Sequence, residues 1–358
     1  MKEVRIAIAC GGTGGHTYPG LATARVLRER GCDVVVLQAG RAVEEQTLSG
    51  WEGEVFKTGA RQSKLSIPGS LFRTWREFGR KRPNVVVAMG SYTSLPAVVA
   101  AWLRGIPVVL HEANAIPGKA IAFLSRFAHA AGVAFPEAAQ HFPPRVKIAN
   151  VGMPLRSEFE KGSGTLRADP SRFSLLVMGG SQGAKRLNEI FVEALREIKA
   201  RHAGLAAKLK VIHLTGERNK DEVQGLYAAA GLTGPAFEVI GFSNEMARLY
   251  AGSDFCISRA GASSCMELSL AGLPALFVPL PHLAADHQTF NAKSMASRGA
   301  GDWMPQDEME PAKLADYLAA IAEDADRRRK MREALIAISR PDATALFADA
   351  ILAAARKA

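Results

Sequence analysis

Short runs of β-branched and aliphatic residues alternate along this chain with longer stretches whose apolar positions recur every three or four residues. In the first half the apolar runs cover residues 4–10, 34–38, 85–89, 108–111 and 146–151, and the periodic stretches between them predict helices such as 21–30, 95–104 and 119–127. In the second half strands are predicted at 174–178, 210–214, 237–240, 255–258 and 275–278, with helices at 185–201, 221–230, 245–251 and 264–271. The runs are apolar throughout rather than at alternate positions. Strands of that kind, separated by helices, belong to parallel sheets covered on both faces, so the expected fold class is α/β.

The two halves share a plan. Each opens with a strand, a glycine-rich turn and a helix: Gly11-Gly12-Thr13-Gly14-Gly15 in one, Gly179-Gly180-Ser181-Gln182-Gly183 in the other. Between them, residues 160–171 are polar, contain Gly and Pro and show no period, which marks a boundary. The expected domains are 1–159 and 160–341, with an alanine-rich helix in 342–358 packing back on the first. Ligands of open parallel sheets sit beyond the carboxyl ends of the strands. Two such domains facing each other would make a cleft lined by the loops after each strand.

Composition narrows the class further. At 358 residues the chain is long enough for two domains, and 48% hydrophobic with 22% charged residues is ordinary for a globular protein. Disordered, collagen-like and coiled-coil chains are excluded, and no apolar run approaches the ~18–20 residues of a membrane span. The apolar stretch before Gly11 is too short for a signal-peptide core, so the chain is expected to stay in the cytosol. Cys10, Cys32, Cys256 and Cys265 have no paired spacing and read as reduced thiols, neither a disulfide frame nor a zinc site. Net charge is +10, and it is uneven: 20 Lys/Arg against 12 Asp/Glu through Glu160, then 25 against 23. A basic first half implies an anionic partner there, whether nucleic acid, an anionic membrane surface or a phosphorylated substrate. The excess is densest from Arg61 to Arg82, where Leu71, Trp75 and Phe78 have the spacing of one helical face. That stretch reads either as a basic amphipathic patch for a membrane or as an ordinary helix with its apolar face in the core. No stacking motif accompanies it, which disfavours nucleic acid.

The chemistry-bearing residues follow predicted strands. The first glycine loop lets backbone N–H groups approach an anion at a helix N-terminus and carries His16, a base or a hydrogen-bond donor. It lacks the acidic residue of a dinucleotide site at the end of the second strand, Leu37-Gln38-Ala39-Gly40, and the Gly-Lys-Ser/Thr of a P-loop. The second loop, with Ser181, has the physics of a diphosphate cradle. In Arg259-Ala260-Gly261-Ala262-Ser263-Ser264-Cys265-Met266-Glu267, the last carboxylate can accept from two neighbouring sugar hydroxyls, while Ser264-x-x-Glu267 also reads as a capping box, which local sequence favours. Gln288 can read sugar hydroxyls or merely sit at a polar helix start. His111-Glu112-Ala113-Asn114 ends a strand and lacks the second histidine of a zinc protease motif. Arg156 can reach a phosphate or form a surface ion pair. Asp324-Ala325-Asp326 lies away from any strand end and reads as solvated helix, not metal site.

GGTGGH at 11–16, HEAN at 111–114, GMPLR at 152–156, GGSQGA at 179–184, SRAGASSCMELSLAGLPALFVP at 258–279 and DHQTFNA at 286–292, in this order, resemble the MurG glycosyltransferases. The likeness spans nearly the whole chain and departs from the family at Ala113 and Ala115, where members often carry Gln and Gly. It implies a GT-B fold, two Rossmann-like domains facing across a cleft. It implies an inverting transfer of GlcNAc from UDP-GlcNAc to the C4 hydroxyl of MurNAc in lipid I, making lipid II for peptidoglycan synthesis. The implied donor contacts are Thr13, Gly14, Gly15, Asn114, Arg156, Ser181, Ser243, Ala262, Ser263, Ser264, Cys265, Met266, Glu267 and Gln288, with His16 the catalytic candidate and neither metal nor cofactor. The implied partners are UDP-GlcNAc, lipid I, an anionic membrane surface and proteins of cell-wall synthesis, at the cytoplasmic face of the bacterial plasma membrane. Another GT-B UDP-sugar enzyme, a lipid glycosyltransferase or an epimerase, is the alternative.

Overall fold

The computed structural model of the chain describes residues 4–12, 14–40, 48, 50–60, 66–155, 171–180, 183–281 and 286–356. The chain divides into two compact units, Met1–Glu160 with Arg340–Ala358, and Lys161–Ser339.

The first unit is built on strands β1 (Arg5–Ala9), β2 (Asp33–Gln38), β3 (Glu54–Lys57), β4 (Val85–Ala88), β5 (Val108–Glu112), β6 (Ala130–Val133) and β7 (Lys147–Asn150). They form one seven-stranded sheet in the order β3-β2-β1-β4-β5-β6-β7, every pairing parallel. Successive residues of each strand serve opposite faces. Ala7, Val35, Val86 and Val108 meet Phe78, Ala97 and Val98 on one side, whereas Ile6, Ile8, Val36, Val87 and Val109 meet Leu21, Leu27, Phe347 and Ile351 on the other. Two buried faces explain why the strands are apolar at every position. The second face is closed partly by the helix Ala343–Ala355, which packs on β4, β5 and β6 and on the helix Gly14–Glu29.

The second unit holds β8 (Phe173–Met178), β9 (Leu209–Leu214), β10 (Phe237–Ile240), β11 (Phe255–Ser258), β12 (Ala275–Phe277) and β13 (Asp302–Trp303), a parallel sheet in the order β10-β9-β8-β11-β12-β13. One face is sealed by the helices Lys185–Arg201 and Pro311–Glu323, through Leu187, Phe191, Leu314 and Leu318.

Each strand expected from an apolar run is present, within two residues at either end. Three strands have no counterpart in those runs. β3 and β13 are edges and carry polar or charged residues. β6 is Ala-Ala-Gly-Val, short on bulk because Phe347 lies against it: a Cβ on Gly132 would come 2.8 Å from the Phe347 ring.

In both sheets the strand order reverses beside the first strand, between β1 and β4 and between β8 and β11. Loops after those strands diverge and leave a crevice, which is where open α/β sheets take their ligands. The two glycine loops follow β1 and β8; Gly90-Ser91 follows β4 and Arg259 follows β11.

Candidate active site

In the first unit, β1 runs into Gly11-Gly12 and the helix Gly14–Glu29, whose first turn holds Gly14, Gly15 and His16 and contains no acid. Thr17 Oγ1 donates to the Cys10 carbonyl at 2.9 Å, tying the helix start to the strand end. The His16 ring is seated beside Gly90. A Cβ there would stand 2.8 Å from His16 Cδ2, and one on Gly12 would stand 2.7 Å from Ser91 Oγ. Gly12 and Gly90 also have φ of 121° and 103°, so only glycine fits both the backbone and the space. Ser91 adopts φ 66° without being glycine, and its Oγ accepts from Thr93 N at 3.4 Å. Backbone strain of this kind clusters at functional sites. Tyr92 beside it is 56% exposed.

β5 delivers His111 and Glu112 to the same end of the sheet, both almost fully buried. His111 Nε2 donates to the Gly152 carbonyl at 2.9 Å. One Glu112 oxygen accepts from the backbone N and side-chain Nδ2 of Asn114 at 2.8 and 2.9 Å, and the other accepts from Gly118 N at 3.1 Å. Glu112 therefore fixes the turn that presents Asn114. Burial dominates the protonation of the group. It pushes the Glu112 carboxyl up to about 7 against those hydrogen bonds. It pushes His111 down to about 4, with His16 lowering it further, and it lowers His16 itself. Both imidazoles are thus neutral near pH 7, and a neutral imidazole can accept a proton.

In the second unit, β8 runs into Gly179-Gly180 and, after Gly183, the helix Lys185–Arg201. Gly183 has φ 73°, and a Cβ on it would stand 2.4 Å from the Thr215 carbonyl, so the loop lies tight on the end of β9. β11 leads through Arg259 and Gly261 into the helix Ala262–Ala271. The capping-box reading fails here. The N-cap is Gly261, no side chain caps the helix, and Glu267 lies in its second turn. There the Glu267 carboxylate accepts from the Tyr250 hydroxyl at 2.7 Å. Ala262, Ser263, Ser264 and Glu267 are half-buried, while the side chains of Cys265 and Met266 are buried, so any ligand contact from those two passes through the backbone. Burial pushes the Cys265 thiol up, which keeps it protonated.

Gln288 is in the first turn of the helix His287–Ser297, and its Oε1 accepts from Leu280 N at 2.9 Å. Asn291 of that helix donates to the Ala260 carbonyl at 3.0 Å. Arg259, 5% exposed, donates to the carbonyls of Val278 and Pro279 at 3.1 and 3.2 Å and to Gln306 Oε1 at 2.5 Å. Burial lowers its guanidinium to about 10. Arg259 and Asn291 thereby fasten the β12 loop and the Gln288 helix to the β11 loop. Ser243 Oγ accepts from Glu245 N at 3.0 Å, beside Phe242, which is 60% exposed.

The structure thus gathers Gly14, Gly15, His16 and Asn114 at the ligand end of the first sheet. It gathers Ala262, Ser263, Ser264, Glu267 and Gln288 at that end of the second, with Ser243 on the loop after β10. Thr13, Arg156 and Ser181 lie outside the described residues. Sequence reasoning missed Glu112, Tyr250, Arg259 and Asn291. Of these only Glu112 carried a signal, as a carboxylate inside an otherwise apolar strand end. Among the described residues no group of three His, Cys, Asp or Glu is placed to hold a metal ion. Asp324 instead caps the helix Ala325–Ile338, accepting from Arg327 N at 2.8 Å, and Asp326 pairs with Arg329.

The C-terminal domain model of glycosyltransferase family 28 matches residues 174–347, and its N-terminal domain model matches residues 6–133. Two relatives are named UDP-N-acetylglucosamine--N-acetylmuramyl-(pentapeptide) pyrophosphoryl-undecaprenol N-acetylglucosamine transferase. The one from Halorhodospira halophila is 37% identical over 96% of both chains. The one from Anaeromyxobacter dehalogenans is 35% identical over 99% of this chain and 94% of its own. The crystal structure of Acinetobacter baumannii MurG superposes with a TM-score of 0.81 at 30% identity, covering 98% of this chain and 99% of that one. A UDP-GlcNAc 2-epimerase from Neisseria meningitidis, at TM-score 0.70 and 15% identity, shares the fold alone. On this evidence of sequence and fold together, the chain belongs to the MurG family of glycosyltransferases, with the GT-B architecture.

Proposed function

We propose that the chain transfers GlcNAc from UDP-GlcNAc to the C4 hydroxyl of MurNAc in undecaprenyl-diphosphate-MurNAc-pentapeptide, converting lipid I to lipid II with inversion at the anomeric carbon. The observation that carries this reading is identity of 35–37% over nearly the full length of transferases named for that reaction, with both glycine loops at strand-order reversals.

The second unit is the donor domain. Glu267, held on one side by Tyr250, receives the ribose hydroxyls, and Gln288 reads the sugar. Ala262, Ser263, Ser264, Cys265, Met266 and Ser243 line the nucleotide, and Thr13, Gly14, Gly15, Asn114 and Arg156 complete the donor contacts. The C4 oxygen attacks C1 as the bond from C1 to the diphosphate breaks. The hydroxyl proton passes to the neutral His16 imidazole. Negative charge grows on the departing UDP and is met by Ser181, by N–H groups of the 179–183 loop and by the N-terminus of the helix Lys185–Arg201.

The first unit is the acceptor and membrane domain. No helix among the described residues is long and apolar enough to cross a membrane. On the helix Ile67–Arg80 the buried stripe is Ser70, Thr74 and Phe78, whereas Phe72 and Trp75 are 63% and 39% exposed. The face expected from Leu71, Trp75 and Phe78 is therefore split. Phe78 enters the core, and Trp75 stays outside, stacked with Phe72 and covered by the Arg104 guanidinium 4.2 Å from its ring centre. Arg61 and Lys64 lie outside the described residues. Trp102, Leu103 and Phe123 are each about half exposed and extend the apolar surface, with Arg73, Arg76, Arg80 and Arg126 in the same segments. This surface would seat the protein peripherally on anionic lipid at the cytoplasmic face of the plasma membrane.

The decisive experiment follows labelled GlcNAc from UDP-GlcNAc to a lipid-linked MurNAc-pentapeptide. Acceptor-dependent product is expected. Conversion of the sugar nucleotide with no acceptor present would replace this reading with an epimerase.

A further inference from the structure

The first unit carries a groove of about 770 Å³ that neither substrate reading uses. It lies at the amino ends of β5, β6 and β7, away from the ligand loops, which follow the carboxyl ends. Ala130 and Ala149 contribute the sheet face that the helix Ala343–Ala355 covers, Ile106 and Ile148 reach the groove from the opposite face at the strand ends, and Ala350, Ala353 and Ala354 form its helix side. The sequence explains the space. The helix Ala343–Ala355 sends Phe347 and Ile351 into the core but offers only methyl groups along this flank, too short to reach the sheet edge. The volume falls within the ~300–1,000 Å³ of small-molecule sites.

Charge at the mouth has one sign. Arg126, Arg145 and Lys147 line it, and among the described residues no Asp or Glu does. The Arg145 guanidinium donates to the Arg126 carbonyl, which brings two arginines to one place. The mouth is continuous with the aromatic surface described above. Trp102, itself a lining residue, meets Phe127 edge-on at 5.3 Å; Phe123 lies 5.8 Å from Phe127, and Arg126 sits over Phe123 at 5.7 Å. An apolar trough with a cationic mouth is complementary to an amphiphile with an anionic head.

We propose that this groove binds one anionic phospholipid molecule, an acyl chain along the alanine flank and the phosphate against Arg126, Arg145 and Lys147. The proposal rests on the membrane-facing reading of the aromatic surface, and it adds a stoichiometric, headgroup-selective site to what would otherwise be a general adhesive face.

The test titrates the full-length protein with dihexanoylphosphatidylglycerol below its micelle concentration, read by calorimetry and by native mass spectrometry. One lipid per chain is expected. Ala353→Trp, which fills the trough from an exposed helix position, and Arg145→Gln should each weaken binding about tenfold or more, as should the phosphocholine headgroup. Glycerol 3-phosphate should not compete. Unchanged affinity in Ala353→Trp, equal affinity for the zwitterionic lipid, or full competition by glycerol phosphate would overturn the site. Transfer to a water-soluble acceptor by Ala353→Trp checks that the variant is folded. Sedimentation with phosphatidylglycerol vesicles separates the two readings. If the wild type binds the monomeric lipid but no vesicles, the membrane surface fails and the groove stands. If vesicle binding persists while both groove variants keep wild-type lipid affinity, the groove fails alone.

Discussion

His16 from the first turn of the helix Gly14–Glu29 and His111 and Glu112 from the end of β5 come to the same end of the sheet, and burial sets what each can do. A neutral His16 is competent as a base at a pH where a solvated histidine would be partly protonated. Replacing it with alanine should lower kcat by about 10²–10⁴ and leave the UDP-GlcNAc dissociation constant within about threefold. Equal losses in both would make His16 a binding residue. The acid limb of kcat/KM should fall below the ordinary histidine value of about 6.5 and vanish in His16→Ala; a limb unchanged in the variant would assign it to another group. Gly90→Ala tests the seat of the ring. Its methyl would stand 2.8 Å from His16 Cδ2 on a backbone with φ 103°, so activity should fall with His16→Ala while UDP binding by the other unit persists. The sequence singled out His16 as a candidate because it follows a glycine turn, and the structure seats its ring beside Gly90. Glu112 showed only as a carboxylate at the end of an apolar strand, and Tyr250 not at all, because folding alone brings their partners near.

Elements were legible where the residues are mostly apolar or β-branched, and position in the sheet does not decide this: the edges β7 and β10 were foreseen and the interior β6 was not. Most interior strands announce themselves by unbroken apolar runs, while β6 is thinned to Ala-Ala-Gly-Val and the edges β3 and β13 carry polar or charged residues. The helix Ile67–Arg80 shows a subtler failure. Its period predicted the right element, but the buried stripe uses Ser70 and Thr74, and the Thr74 hydroxyl is satisfied by the Ser70 carbonyl at 2.8 Å. Small hydroxyl residues let this helix pack closely and leave its larger aromatics outside. Phe72→Ala with Trp75→Ala should lower binding to anionic vesicles about tenfold or more without changing transfer to a soluble acceptor, and the wild type's binding should weaken with salt. Salt-insensitive binding would point to insertion of the aromatics alone. The helix Ala262–Ala271 likewise departed from its local signal, since Glu267 faces Tyr250 and not the helix start. Tyr250→Phe should raise the KM for UDP-GlcNAc about tenfold with a smaller change in kcat, measured at saturating acceptor.

Over the whole molecule, titration divides the two units. Glu112 goes from 4.5 to about 7 on folding, so the fold favours its protonated form and gains stability as pH falls from 7 to 4.5. His111 goes from 6.5 to about 4, so its stabilisation is complete above 6.5 and is lost as pH falls towards 4. The two act in opposite directions within one unit. His16, also lowered by burial, adds a loss of its own there. In the second unit His213 is wholly enclosed by Asn188, Tyr227 and Phe191 and is pushed down to about 3, with no buried acid among the described residues raised to offset it. Mild acid should therefore loosen the second unit first. Hydrogen exchange at pH 5 against pH 7 should show protection falling more in β8, β9 and the helix Lys185–Arg201 than in β1, β4 and β5. Equal or reversed losses would refute the assignment.

The helix Ala343–Ala355 belongs to the unit that the chain left some 180 residues earlier. The second unit is in effect threaded into the first as an insertion. A ribosome working at ~5–20 residues per second releases everything the inserted body needs before it releases the last piece of its host. The later-written half can close while Val87 and Val109 of the earlier one still wait for Phe347 and Ile351. Chains truncated after residue 340 should accordingly bind UDP yet present a sticky, chaperone-recruiting valine face.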